Sequence, residues 1–190
     1  MSRGKTSARP GQIRIIGGRW RRHRIALPDD DRIRPTGDRV RETLFNWLMP
    51  IIEGARCLDL FAGSGALGLE GLSRGAGQTV FVELDPAAAN RLDVTLEQLQ
   101  CRDATVVNGD ARRFLGTAPT PFDIVWLDPP FGEFDLANLC TLLERGWLAP
   151  RARIYLELSR HKDLPELPSG WVIDRDKTAG QVRFALARRA

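Results

Sequence analysis

Two hydrophobic periods interleave along this chain. From Ala55 onward, short apolar runs of the kind that form buried strands are separated by stretches in which apolar residues recur every three or four positions, the spacing of an amphipathic helix. "RCLDLF" predicts a first strand, "ALGLEGLSRG" a helix, "TVFVEL" a second strand, "PAAANRLDVTLEQLQ" a helix and "ATVVNG" a third strand. A short helical piece near "DARRFL", the strand "FDIVWL", the helix "FDLANLCTLLERG" and the strand "RIYLEL" continue the alternation. "GWVIDRDKTAG" and "QVRFALARR" predict a closing antiparallel pair around Ala179-Gly180. Repeated strand-helix units imply an α/β fold, a mostly parallel sheet with helices on both faces.

The pattern upstream is different. "QIRIIGGRWRRHRIAL" alternates around Gly17-Gly18, and a Gly-Gly pair between two short β-like runs signals a hairpin, here with largely arginine on its outward positions. After the loop "PDDDRIRPTGD", Val40, Leu44, Phe45 and Leu48 fall at helical spacing in "DRVRETLFNWLMP", and Pro50 ends the run. The expected organisation is a basic arm, hairpin and helix over residues 1–52, appended to a catalytic domain over 53–190. Internal repeats are absent, and low complexity is confined to the first ten residues.

Composition narrows the class. With 190 residues and 43% hydrophobic content the chain can bury one sizeable core. No apolar run approaches the roughly 20 residues needed to span a bilayer, and "MSRGKTSARPGQ" lacks a signal peptide's apolar stretch, so a soluble, cytoplasmic protein is expected. Cys57, Cys101 and Cys140 are odd in number and widely spaced, which reads as reduced, mostly buried thiols and no metal site. Charge is unevenly divided: residues 1–24 hold Arg3, Lys5, Arg9, Arg14, Arg19, Arg21, Arg22 and Arg24 and no acid, leaving 20 basic against 24 acidic residues in the rest. A basic arm on a mildly acidic body is the footprint expected for a polyanion partner. A merely solubilising tail is the competing reading for the first three; Arg14, Arg19, Arg21, Arg22 and Arg24 sit in patterned sequence and point to RNA.

In a doubly wound sheet, ligands bind outside the carboxyl ends of the strands where strand order reverses. Four polar clusters occupy such ends: "DLFAGSGALG", "ELDP", "NGDA" and "DPPF". Gly63, Gly65 and Gly68 satisfy GxGxxG between a strand and a helix, letting a cofactor approach the backbone, and a carboxylate after the second strand can accept hydrogen bonds from ribose hydroxyls. Glu83 is favoured over Asp85 because it immediately ends the run "VFV". A nicotinamide dinucleotide would be served equally well by these features alone. Asp110 has two readings, an acceptor for an adenine amino group and the N-cap of "ARRFL".

The corner "DPPF" separates the possibilities. Pro129 and Pro130 fix φ and donate no backbone hydrogen bond, so local carbonyls stand as fixed acceptors beside the Asp128 carboxylate. Such a corner suits an exocyclic amino group of a base, whose lone pair is delocalised into the ring until both N–H groups are held. Phe131 can stack on the base plane. The electrophile that fits is the sulfonium methyl of S-adenosylmethionine; hydride transfer has no evident use for the corner.

Together "RIIGG", "RPTGDRVRETLFNWL", "CLDLFAGSGALGLEGLSRGA", "VELD" and "DPPF" resemble the RsmD family of class I methyltransferases, over nearly the whole chain from about Gln12. The resemblance implies a Rossmann-like seven-stranded sheet with an antiparallel last strand, and a monomeric enzyme that methylates N2 of a guanine in 16S ribosomal RNA, at position 966, in a small-subunit particle. Carried over by position, Asp59, Gly63, Ser64 and Gly65 line the methionine part of the cofactor, with Phe61, Leu84 and Ala111 beside the site, Glu83 on the ribose and Asp110 on the adenine. Thr36 and Arg39 close it from the preceding helix, and Asp128, Pro129, Pro130 and Phe131 form the base pocket. S-adenosylhomocysteine would be the product. Many relatives carry glycine where this chain has Arg22. An adenine-N6 methyltransferase acting on DNA or RNA would use the same corner; a non-catalytic RNA-binding or assembly module would bind RNA without turnover.

Overall fold

A computed structural model describes residues 11–26, 37–130, 132 and 134–190. The chain begins with a two-stranded antiparallel sheet, β1 (Gln12–Arg14) and β2 (Arg24–Ala26), followed by helix α1 (Asp38–Leu48). Strands and helices then alternate: β3 (Arg56–Asp59), α2 (Ala66–Ser73), β4 (Gln78–Glu83), α3 (Pro86–Gln98), β5 (Ala104–Asn108), α4 (Ala111–Leu115), β6 (Phe122–Leu127) and α5 (Leu136–Leu143). β7 (Leu148–Ser159), β8 (Trp171–Ala179) and β9 (Val182–Arg189) complete the chain. Local chemistry sets several helix starts. Asp85, Asp110 and Asp135 cap α3, α4 and α5 by accepting backbone N–H bonds, and Pro86 occupies the first position of α3, where no amide partner is lost.

The main sheet has seven strands in the order β5-β4-β3-β6-β7-β9-β8. β3, β4, β5, β6 and β7 pair in parallel, and β9 runs antiparallel to both β7 and β8. This is the Rossmann-like sheet with an antiparallel last strand that the sequence resemblance implies. Chain direction across the sheet reverses between β3 and β6, which puts a crevice above that junction.

Strand alternation builds a separate core on each face. Val125, Leu127, Ile154 and Leu156 meet Leu139 and Leu143 of α5 and Trp147 on one side. Ile124, Trp126, Tyr155 and Phe184 meet Leu44, Phe45 and Leu48 of α1 on the other. A third cluster joins Ile13, Ile15 and Ile25 of the N-terminal sheet to Leu69 and Leu72 of α2 and Leu92 and Leu96 of α3. Each fully buried side chain of this size contributes about 1.5–3 kcal/mol, so the hairpin is docked rather than trailing.

Gly17-Gly18 is not where the hairpin reverses. Pairing continues past β1 through bonds from Ile15 N to His23 O and from Arg22 N to Ile15 O, and the reversal is made by turns in which Arg21 N donates to Gly18 O and His23 N to Trp20 O. The glycines instead allow close packing on α2: a Cβ on Gly18, whose φ is +76°, would stand 1.8 Å from the Ser73 carbonyl oxygen. β7 also starts earlier than "RIYLEL", at Leu148, with a register irregularity against β6 between Phe122 and Ile124.

Candidate cofactor and base-binding site

Register brings the four polar strand ends to one edge. Asp59 pairs with Phe81 of β4 and Trp126 of β6, and Glu83 pairs with Asn108 of β5. The glycine loop between β3 and α2 is tied down on both sides: Leu60 N donates to Trp126 O and Ala62 N to Val82 O. Gly65 caps α2 with φ of 75°, a left-handed conformation costly for other residues. Gly68 lets α2 lie on β4, since a Cβ there would stand 2.1 Å from the Phe81 ring. Glycine is therefore used here both for the turn and for helix-strand contact.

The acids at these ends have distinct environments. Glu83 Oε2 accepts from Gly63 N at 2.6 Å and Oε1 accepts from Asp85 N at 2.8 Å. A carboxylate offers about four lone-pair positions, so this bridge leaves acceptor capacity for hydroxyls outside the strand ends. Asp85 is committed to the N-terminus of α3, accepting from Ala87 N and Ala88 N. Asp110 likewise takes the cap, with Oδ1 accepting from Arg113 N at 2.9 Å. Asp59 is buried and accepts from Gly68 N at 2.9 Å. Burial pushes its pKa up to about 7, the Gly68 N–H opposes that rise, and the nearby Glu83 charge adds to it. Phe61 is half-buried in the glycine loop, Ala111 is buried at the start of α4, and Leu84, the residue after β4, is 66% exposed, an apolar surface facing solvent. Ser64 is half-buried in the glycine loop.

Asp128 follows β6 directly, half-buried, with Pro129 buried and Pro130 exposed. Pro129 and Pro130 border a shallow, solvent-open cleft whose walls include Phe134, Glu157, Ser159 and Lys162. Phe134 packs edge-on against Phe61 at 4.7 Å between ring centroids, linking this cleft to the glycine loop, and the Arg112 guanidinium lies 4.9 Å from the Phe134 centroid. At the end of β7, the buried Tyr155 hydroxyl donates to Glu157 Oε2 at 2.6 Å. Burial, followed by the charges of Glu157 and Asp128 and the Glu157 hydrogen bond, holds the Tyr155 pKa well above its usual value, so it stays a neutral donor. Phe134, Tyr155 and Glu157 escaped the sequence reading. The available signal was an acid inside the apolar run "RIYLELS", where charge is rarely buried without purpose.

The hairpin presents Arg14, Arg19, Arg21, Arg22 and Arg24 to solvent. Arg22 has φ of 73°, the left-handed conformation that glycine adopts without strain and other side chains do not. Behind the arginines the hairpin is clamped to α2. Glu70 Oε2 accepts from Ile16 N at 2.7 Å, and Oε1 accepts from Gly17 N at 2.9 Å and Arg74 Nε at 2.7 Å. Ser73 Oγ donates to Gly17 O and accepts from Trp20 N. Thr36 and Phe131 lie outside the described residues. Arg39 is exposed on the first turn of α1; among the described residues no hydrogen bond or ion pair joins its side chain to the glycine loop.

Comparison with known proteins converges on one family. The model of a family described as "Conserved hypothetical protein 95" matches residues 13–188. The chain is 51% identical to the Ribosomal RNA small subunit methyltransferase D of Escherichia coli (strain K12), over 94% of this chain and 91% of that protein. It is 44% identical to the protein of the same name from Haemophilus influenzae, over 98% of each. The solved structure of yhhF from Escherichia coli superposes with a TM-score of 0.88 at 49% identity, covering 94% of this chain and 98% of that one.

Proposed function

Because this chain belongs to the RsmD family, whose model spans most of its length, we propose that it methylates N2 of a guanine in 16S ribosomal RNA of the small subunit, at position 966, using S-adenosylmethionine. The observation that carries the proposal is the Asp128-Pro129-Pro130 corner, set at the end of β6 beside the glycine loop that Leu60 N ties to Trp126 O. Acceptors for an amino group and a loop suited to a nucleoside cofactor thus follow the ends of neighbouring parallel strands, β6 and β3.

The residues fit the cofactor. Glu83 already bridges two backbone amides and retains acceptor capacity for ribose hydroxyls. Asp59, Gly63, Ser64 and Gly65 would hold the methionine part, and Phe61, Leu84, Asp110 and Ala111 would border the adenosine, Asp110 with the oxygen that its cap leaves. When bound, the cofactor supplies an electrophilic methyl on sulfur, which N2 captures as the carbon–sulfur bond breaks and S-adenosylhomocysteine is left. Asp128 and the Pro129 carbonyl accept the two N–H groups of the amine and so direct its lone pair out of the ring plane. Asp128 then takes the proton that the methylated amine sheds. Most of the rate gain comes from orientation and from placed acceptors rather than from a strong base. Arg14, Arg19, Arg21, Arg22 and Arg24 contact RNA phosphates, within an extension comprising residues 1–52 that serves the catalytic unit 53–190.

The test is to incubate the protein with labelled S-adenosylmethionine and unmodified small subunits, digest the RNA and identify the labelled nucleoside by mass spectrometry. Label in N2-methylguanosine that disappears with Asp128→Ala, while calorimetry shows cofactor binding retained, is the expected result. Label in N6-methyladenosine would replace the guanine reading, and RNA binding with no label under any condition would point to an assembly module.

A further inference from the structure

β7 is apolar along its buried length until Glu157, a residue only 4% exposed. The core does not explain an acid there, since burying a carboxylate costs several kcal/mol unless it is well hydrogen-bonded. Its surroundings give it a place in the base cleft. Leu127, the last residue of β6, and Leu156 of β7 are register partners on strands about 4.8 Å apart, and the residue after each is an acid, Asp128 just past the end of β6 and Glu157 within β7. Trp126 and Tyr155 share one face of the sheet, alternation along β7 puts Glu157 on that same face, and the Asp128 charge acts on the Tyr155 hydroxyl there. Glu157 lines the cleft with Pro129 and Pro130, and the Tyr155 hydroxyl fixes one of its oxygens at 2.6 Å.

The bases differ in what lies beside the amine on the pairing edge. Guanine has the N1–H donor next to N2. Adenine has a bare N1 next to its amine, and cytosine a bare N3. A second acceptor beside the amine acceptor therefore matches guanine alone, and it meets the other two lone pair against lone pair. We infer that Glu157 is a specificity-determining residue whose carboxylate, oriented by Tyr155, accepts the N1–H of the target guanine while Asp128 accepts from N2. This rests on the guanine reading proposed above and gives that reading its selectivity.

The test uses small-subunit RNA, assembled into subunits, in which the nucleotide labelled by the wild-type protein carries either guanine or 2-aminopurine. The analogue keeps the amine at the same carbon but has a bare ring nitrogen beside it. Wild-type protein is expected to prefer guanine by on the order of 10- to 100-fold in kcat/KM, the worth of a well-made polar contact to a base. In Glu157→Gln the amide can donate to the bare nitrogen, so guanine methylation falls and the preference shrinks by about tenfold or more. Tyr155→Phe, nearly isosteric and so a safeguard against a folding defect, should move the preference the same way by a smaller factor. Cofactor affinity should be unchanged in both, since neither side chain belongs to the cofactor set. A guanine preference equal to wild type in both variants overturns the inference and leaves the guanine reading standing. Wild-type label in adenosine instead overturns both.

Discussion

The Glu70 clamp gives the most demanding test of how the hairpin is held. Glu70 is fully buried and receives two backbone N–H groups from residues 16 and 17 and the Arg74 guanidinium, while Arg41 Nη1 stands 3.7 Å from its Oε2. Arg41 is itself fully buried; its Nη2 donates to Arg14 O at 2.9 Å and to Asp38 Oδ1 at 2.6 Å, and among the described residues its Nε and Nη1 have no hydrogen-bond partner. The Arg41–Glu70 attraction is therefore Coulombic, and Glu70→Gln removes the charge that answers a buried guanidinium. It also turns an amide NH2 toward a backbone N–H, donor against donor. Breaking a buried charged network in this way costs about 3–5 kcal/mol. The exposed Asp38 partner compensates Arg41 in part, so the low end, about 3 kcal/mol, is expected. For a chain of this size that lowers Tm by roughly 6–12 °C. Urea titration followed by tryptophan fluorescence measures the loss, and RNA titration at several salt concentrations should show weaker binding with a salt slope close to wild type, because every arginine of the arm is retained. A loss below about 1 kcal/mol, a magnitude ordinary for exposed ion pairs, would refute the clamp.

Arg22→Gly removes a left-handed side chain whose strain is roughly 1–2 kcal/mol, against about 0.4–1 kcal/mol of extra chain entropy in the unfolded state, so a net gain of about 0.5–1 kcal/mol is expected. The same change should reduce the salt slope of RNA binding by up to about 0.9 if Arg22 meets a phosphate; a lower Tm would count against the strain. Asp59 carries a pH signature: burial raises its folded-state pKa from the usual 3.8 to about 7, so between those values the native state holds a proton that the unfolded chain has released. Stability should therefore fall as pH rises from about 4 to 7 and Asp59→Asn should flatten that decline, whereas an unchanged pH slope in the variant would show that Asp59 is not its source.

Strand positions were legible because buried parallel strands are written as apolar runs: "FDIVWL" coincides with β6, and "RCLDLF" and "TVFVEL" fall within two residues of β3 and β4. The glycine loop and Glu83 were legible for the same reason, since a strand end fixes where the next polar residue must stand. The path of the hairpin was not. Its glycines answer to Ser73 and Glu70, more than fifty residues on, and only the fold brings those groups together. Phe134 was hidden differently: it reads as the start of a helix, but Asp135 caps α5, so Phe134 lies outside the helix and packs on Phe61 and Arg112. Of the two readings of Asp110, the cap is the one seen, and it uses one of the two carboxylate oxygens.

These contacts give α2 a double role under the proposed function. Its N-terminus springs from Gly65 of the cofactor loop, and its last turn carries Glu70 and Ser73, which hold the arginine-bearing hairpin. A flexible basic tail would raise the local concentration of RNA but would leave the nucleotide to find the cleft by diffusion. A hairpin fixed to α2, a helix about 12 Å long, keeps its arginines at a constant offset from the glycine loop. Phosphate contacts set register rather than sequence, so that offset selects which nucleotide along the RNA reaches the crevice. Selection of the base then falls to the groups at the cleft, where Asp128 follows β6 and Glu157 stands on the neighbouring β7. Position and base identity are thus divided between the two sides of the sheet's reversal point, and α2 and β3 form the rigid connection between them.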